Sequence, residues 1–430
     1  MPYNTAYIKN FGCKVNQSEA DSLKKKLQKY LDFVDTLDLA EIVFINTCAV
    51  TEKASEKSLR FIKGVKRNFP DKKIILTGCL TGLLEQEFYE KNIDLLISMK
   101  DKENVRDILE NQSYISKKKN VDKIIYNTHR TRAFLKIQDG CDNFCSYCVI
   151  PFLRGAPHSK PASIVIKELK SLLDYGYKEV VFVGIHLGKY GLGKNSTLAS
   201  LLNMIENIDG NFRVRISSLE INELDENLID IIERSEKICP HLHIPLQSGS
   251  NKILNLMNRN YTREKFKDKI YYMLNKIPEI TLGLDVIVGF PGETELDFKE
   301  TISLVDEIKP HYLHVFPYSD RPNTKASEML NKVDNNILKD RVNIMKELAE
   351  NLKIKAYKNK IGKKMRVLIE KEGIGFSDDY FKVLHEGGLA NSFQYVEAYE
   401  LDINKKMLRG RNIKERLNYR TIPQEPKLQQ

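Results

Sequence analysis

The stretch Gly140-Cys141-Asp142-Asn143-Phe144-Cys145-Ser146-Tyr147-Cys148 constrains the chain more than any other, because thiols spaced Cys-x3-Cys-x2-Cys must converge within one short loop. Thiols this dense, in a chain without a disulfide framework, are read as ligands. Three thiolates occupy three irons of a four-iron cluster and leave one iron open. A cluster held by four cysteines carries electrons, whereas one with an open iron can bind a small molecule and do chemistry on it. The loop follows the apolar run Phe134 to Gln138, so it is expected at the end of a strand.

The chain has seven cysteines, an odd number, and Met1 to Gly12 shows no basic segment followed by an apolar one. Both point to thiolate ligands in a reducing, cytoplasmic setting. No run approaches the roughly eighteen apolar residues of a membrane span, so no membrane partner is expected. Hydrophobic content of 42% and charged content of 29% are globular values, and 430 residues suggest two to four domains. A balance of 68 Lys+Arg against 58 Asp+Glu, net +10, favours a polyanionic partner without specifying one.

The fold class read from the pattern is α/β, in three parts. Residues 1–115 form an N-terminal parallel α/β domain, with strands at Ala6 to Asn10, Glu41 to Asn46, Lys73 to Thr77 and Ile93 to Ser98. Helices are expected over Asn16 to Leu31, capped by Ser18 or Asp21, and over Glu52 to Asn68. A lysine-rich linker is placed between Asp101 and Arg132, with Lys117-Lys118-Lys119 in its middle. Residues 127–357 carry six strands at barrel rhythm: Phe134 to Gln138, Glu179 to Val183, Arg213 to Ser217, His241 to Pro245, Thr281 to Val288 and Tyr312 to Phe316. Polar loops follow each strand and are expected to face one cavity at the carboxyl-terminal face. Residues 361–430 read as a small β-barrel, with strand-like runs at Met365 to Glu370, Tyr380 to Leu384, Phe393 to Tyr399 and Met407 to Arg409, then a disordered tail from Pro423 to Gln430.

A second cysteine set, Cys13, Cys48 and Cys79, has no compact metal spacing. Each closely follows a predicted strand, so three βα units would deliver three thiols to one sheet edge, where open α/β folds bind ligands. They could hold a second cluster with an open iron; the other reading is small buried residues at crowded strand ends. Cys239 has no companions and reads as structural or a bystander.

Both triads and the three-part organisation resemble the radical S-adenosylmethionine (SAM) methylthiotransferase family over nearly the whole chain. Gly12-Cys13-Lys14-Val15-Asn16-Gln17, Phe134-Leu135-Lys136-Ile137-Gln138-Asp139-Gly140-Cys141 and Gly184-Ile185-His186-Leu187-Gly188 are most similar to the branch acting on threonylcarbamoyladenosine in tRNA. The closing segment resembles a TRAM domain, an RNA-binding module, through Gly375-Phe376-Ser377-Asp378-Asp379-Tyr380-Phe381-Lys382-Val383. The resemblance implies that an aromatic C–H of the adenosine 3′ of the anticodon is replaced by a methylthio group. It implies two [4Fe-4S] clusters, one on Cys141, Cys145 and Cys148 that cleaves SAM and one on Cys13, Cys48 and Cys79 that carries sulfur, with a second SAM giving the methyl group. The implied partners are the tRNA anticodon stem-loop, an electron donor of flavodoxin or ferredoxin type, and a sulfur source.

Further candidates follow from the same resemblance. Tyr147 lies in the cluster loop, and Gly184, Ile185 and His186 occupy the place where related barrels hold the cofactor amino group; His186 can also be read as a packing histidine. Ser218 and Glu220 are candidates for ribose or methionine contact, and Arg154 for a carboxylate. Gln247 and Asp285 are candidates for substrate or cofactor contact, or for a polar layer that stabilises the barrel. Phe376, Tyr380, Phe381 and Lys382 are candidates for RNA stacking, or for the core of the small barrel. Competing functions are thiolation of isopentenyladenosine in tRNA or of a ribosomal-protein aspartate, and a non-catalytic iron-sulfur RNA-binding protein.

Overall fold

The computed structural model describes residues 2–116, 131–193, 196–371, 373–385 and 387–413. The first layer is a parallel sheet of β1 (Thr5–Asn10), β2 (Asp32–Phe33), β3 (Ile42–Thr47), β4 (Lys73–Gly78) and β5 (Leu95–Leu96), ordered β2-β1-β3-β4-β5. The continuous apolar run of β3 is explained by burial on both faces: Ile42 and Phe44 pack into one core, Val43 and Ile45 into the other. Helices α1 (Lys14–Leu27) and α2 (Glu52–Asn68) make the crossovers, and Thr51 caps α2 by accepting from the Ala54 amide.

Two local expectations are corrected. Cys13 stands at the N-cap of α1, and Ser18 is no cap. Its hydroxyl donates to the Phe134 carbonyl at 2.9 Å and accepts from the Lys136 amide at 3.1 Å, filling in for a missing strand along an exposed sheet edge. Second, residues 101–116 are not linker. The helix Val105–Asn111 buries Val105 and Leu109 in the first core, a segment too short to display helical periodicity. Lys117-Lys118-Lys119 and the tail from Pro423 lie outside the described residues.

The central part is a partial barrel. Strands β6 (Arg132–Lys136), β9 (Glu179–Val183) and β10 (Arg213–Ile216) form one parallel block, and β11 (His241–Gln247), β12 (Thr281–Val288) and β13 (Tyr312–Pro317) a second. Single parallel bridges, Val214 to Ile238 and Ser218 to His243, join the blocks. The short ribbon β7 (Gln138–Asp139) and β8 (His158–Ser159) flanks the cysteine loop. Side-chain alternation separates the faces: Val180, Phe182, Val214, Leu242, Ile244, Leu282 and Leu284 join the large core under the helices, while Arg213, Arg215, His243 and Asp285 occupy the opposite face. Among the described residues β6 and β13 do not pair, and α1 covers the β6 edge, with Val15 packed on Val181, Val183 and Phe134.

The C-terminal part is a closed barrel ordered β14-β15-β16-β18-β17, built from β14 (Lys364–Lys371), β15 (Ile374–Ser377), β16 (Lys382–His385), β17 (Ser392–Asp402) and β18 (Met407–Asn412). Strand β15 escapes a propensity reading because Gly373 precedes it and Gly375 interrupts its four residues. No helix of the described residues is long and apolar enough to cross a membrane.

Candidate active site

Adjacent strands of the first sheet end at one level, with Asn10 opposite Asn46, Asn46 opposite Thr77 and Thr47 opposite Gly78. Cys13, Cys48 and Cys79 stand just beyond these ends. Glycine is required before two of them. Gly12 has φ +130° with the Cys48 Cβ 3.0 Å from where its own Cβ would stand, and Gly78 has φ +101° with the Thr47 carbonyl oxygen at 2.3 Å. Any larger residue would push these turns apart. The Asn16 amide donates to the Thr47 carbonyl at 2.7 Å, locking the first turn to the second.

The other triad is gathered by its own loop, in which the Cys148 amide donates to the Cys145 carbonyl at 3.0 Å. Burial pushes Cys48 up to about 11, with Cys13 and Cys79 adding to the rise, and pushes Cys148 up to about 12, with Cys145 and Cys141 adding. Cys48 and Cys148 thus each feel the other two thiols of their set. The two sets meet: Cys79, Cys141 and Cys148 share a small apolar cluster with Ala49, Leu80 and Ile150.

One buried guanidinium serves each triad. Arg154, at the end of the helix Ile150–Arg154, donates through Nε to Cys79 Sγ at 3.2 Å. Its other nitrogens reach Glu19 at 2.8 Å, Asp139 at 2.9 Å and Asn16 at 3.3 Å, which leaves no donor for a cofactor carboxylate. The fork expected to hold such a group is spent within the chain. Lys102 at 2.5 Å and Lys136 at 3.0 Å complete the shell of Glu19. Burial alone would raise Glu19, but Lys102, Arg154 and Lys136 hold it far below the usual carboxylate range. Arg259, after the helix Asn251–Leu256, donates to Cys145 Sγ at 3.2 Å and pairs with Glu220. Arg321, in the loop after β13, is buried and donates to the Ser55 hydroxyl at 3.2 Å, and its charge acts on Cys48.

The remaining candidates fall in two groups. His186 donates its amide to Gln138 Oε1 at 2.7 Å and sets one ring nitrogen 3.4 Å from Cys141 Sγ and the other on Glu223. Burial lowers it, but Cys141 and Glu223 outweigh burial and push it up to about 9. Gly184 sits against Gln138, and Ile185 packs beside Cys141 and Cys148. Tyr147 lies edge-on to Phe290 at 6.4 Å, with its hydroxyl in the field of Cys145, Cys148 and Arg259. Further into the barrel, Ser218 contacts His243 at 3.4 Å, and Asp285 accepts from His243 at 2.7 Å with His314 at 3.2 Å. Gln247 ends β11 in a left-handed conformation, φ 66°.

Phe376, Tyr380 and Phe381 do not form an exposed stacking face. Phe381 is 2% exposed in the core of the small barrel, and Tyr380 inserts between His241, at 4.6 Å, and the Arg215 guanidinium, at 4.7 Å. Phe376 stacks on Tyr380 under Arg132, and Lys382 is half-buried. Arg259, Glu19, Glu223, His243 and His314 were missed by sequence reasoning. His243 and His314 lie two residues along from His241 and Tyr312, so strand alternation around Asp285 carries a signal for them. Arg259 and Glu19 carry none.

The donor sets fit iron-sulfur clusters. Each is three soft thiols with no disulfide, buried or half-buried except for exposed Cys13, set beside a guanidinium able to balance an anionic cluster. Two family models match: the Radical SAM superfamily over residues 135–305 and uncharacterized protein family UPF0004 over residues 5–98. The architecture is similar to that of the radical SAM methyltransferase TsrM from Kitasatospora setae, with TM-score 0.56 at 12% identity over 76% of this chain and 77% of that one. A thiol-rimmed partial barrel and the family match define a radical SAM protein.

Relatives narrow the class. The threonylcarbamoyladenosine tRNA methylthiotransferase MtaB of Aquifex aeolicus (strain VF5) is 38% identical over 395 residues, 88% of this chain and 96% of its own. That of Bacillus subtilis (strain 168) is 37% identical, over 89% of this chain and 90% of its own. A tRNA-2-methylthio-N(6)-dimethylallyladenosine synthase of Thermodesulfovibrio yellowstonii is 35% identical, over 88% and 90%. The chain belongs to the radical SAM methylthiotransferase family.

Proposed function

We propose that this protein is a tRNA-modifying enzyme that converts threonylcarbamoyladenosine 3′ of the anticodon to its 2-methylthio derivative. The observation that carries the reading is end-to-end likeness to relatives named for that activity, at 35–38% identity over 84–92% of this chain. With two [4Fe-4S] clusters and SAM bound, one centre supplies the radical that activates the aryl C–H and the other supplies sulfur. Cys141, Cys145 and Cys148 hold the first, and Cys13, Cys48 and Cys79 the second.

The chain's own residues then have distinct tasks. Arg259 balances charge beside Cys145, and Arg154 does so beside Cys79. The apolar floor of Ala49, Leu80 and Ile150 keeps water from the ground shared by the triads. Glu220, fixed by Arg259, and Ser218 line the barrel mouth, where a ribose or methionine end can be held. The reductant is a flavodoxin- or ferredoxin-type protein, sulfur comes from a separate donor, and the setting is the cytoplasm.

Nucleoside mass spectrometry of tRNA from a strain lacking the protein tests the reading. Loss of the 2-methylthio derivative with accumulation of threonylcarbamoyladenosine is expected; unchanged methylthiolation of that nucleoside overturns it.

A further inference from the structure

The inner face of the partial barrel is cationic where its strands begin. Arg213 and Arg215, each 1% exposed, share the single buried carboxylate of Glu179. Arg132 is paired with Glu370 at 2.6 Å, and Asp378 serves both Arg213 and Arg366. Tyr380 closes this end, its ring against His241, Arg215 and Arg132.

Helix α1 enters from the open side. Val15 packs on Val181 and Val183, and Lys14 beside it lies in the field of Tyr380, Arg215, Arg132 and Glu179. Its charge also acts on His241. Among the described residues Lys14 makes no ion pair and no hydrogen bond, because the acids in reach are taken by arginines. A half-buried ammonium next to further cations and without an ion-pair partner is costly to maintain. A ligand that brings its own anion removes the cost.

Lys14 directly follows Cys13, so this cationic position lies one residue from the thiol triad assigned to sulfur supply. A base whose ring carbon reaches that triad would carry its exocyclic substituent within range of the ammonium. Threonylcarbamoyladenosine ends that substituent in a carboxylate; dimethylallyladenosine ends it in an apolar branch. Relatives named for either substrate are similar to this chain, at 38% and 35%, so the two substrates must be told apart by particular residues. We propose that Lys14 is the specificity residue, receiving the threonyl carboxylate at the cationic end of the barrel with Arg215 and Tyr380 beside it. The inference rests on the substrate reading above and adds the group that enforces it.

The test uses the full chain with its clusters reconstituted without oxygen, and two synthetic anticodon stem-loop RNAs: one with threonylcarbamoyladenosine, one with its carboxylate as the methyl ester. Wild type should bind the free acid about ten- to a hundredfold more tightly than the ester, the range for losing a charge-assisted hydrogen bond. Lys14→Met should bring the two affinities together, and Lys14→Arg should retain most of the preference. Iron is measured in each variant because Cys13 is adjacent, and Lys14→Gln replaces Lys14→Met if the latter loses metal. Equal affinity of wild type for acid and ester, or an undiminished preference in an iron-replete Lys14→Met protein, overturns the assignment. If wild type instead methylthiolates a dimethylallyladenosine RNA and leaves the threonylcarbamoyl RNA unmodified, the underlying substrate reading has failed.

Discussion

The two thiol triads reach the same neighbourhood by opposite routes. Cys141, Cys145 and Cys148 are gathered by one loop on one barrel, with a guanidinium from that same barrel. Cys13, Cys48 and Cys79 are delivered by three separate strand ends, and their guanidinium, Arg154, comes from the other part of the chain. The first triad is therefore a local property. The second depends on how two bodies dock, and its charge network of Glu19, Lys102, Lys136, Asp139 and Arg154 is also the seam between them.

Removing each triad in turn gives the largest expected effect. Alanine at Cys141, Cys145 and Cys148 should abolish 5′-deoxyadenosine formation and halve the iron. Alanine at Cys13, Cys48 and Cys79 should also halve the iron yet leave SAM cleavage in place while the methylthio product disappears. Iron that stays constant in the second variant would mean one cluster only.

Next in size is the seam. Arg154→Met weakens the shells of buried Glu19 and Asp139, which keep only Lys102 and Lys136, and should cost about 2–4 kcal/mol by denaturant unfolding. Arg259→Met strands only half-buried Glu220 and should cost clearly less. Equal losses would erase the distinction between a docked and a local triad.

Asp285→Asn probes a half-buried charge within the barrel alone. Burial raises Asp285, but His243 and His314 outweigh it and hold its carboxyl at about 2. A depressed folded value stabilises above the unfolded value near 4 and loses that contribution as pH falls through the folded one. The stability gap between wild type and D285N should be about 2 kcal/mol at neutral pH and narrow between pH 4 and pH 2. A constant gap in an acid titration would contradict this. Smallest is Ser18→Ala, which removes two hydrogen bonds between α1 and the β6 edge and should cost about 1–2 kcal/mol in thermal unfolding. No change would show that the apolar contact of Val15 alone seats the helix.

Legibility followed the same division. The boundaries of α2, β9 and β12 could be read to the residue because periodicity and turn residues coincide there. The helix Val105–Asn111 and strand β15 could not, being too short or too glycine-rich to display a pattern. Arg154 was legible as a site residue but not in its role. Tyr380 was legible as an important aromatic, yet it is inserted toward the barrel rather than facing solvent.

The amino-acid sequence determined the chemistry on offer: which thiols exist, which are spaced to share one cluster, and which strands end beside a cysteine. These are short-range matters, set by spacing and backbone preference. Tertiary structure decided which charges meet them, placing Arg154 on Cys79, Glu19 between two domains and Lys14 among cations without an ion-pair partner. Coulomb interactions and desolvation depend on distance through space, and residues more than a hundred positions apart become neighbours only once the sheet, α1 and the barrel have packed.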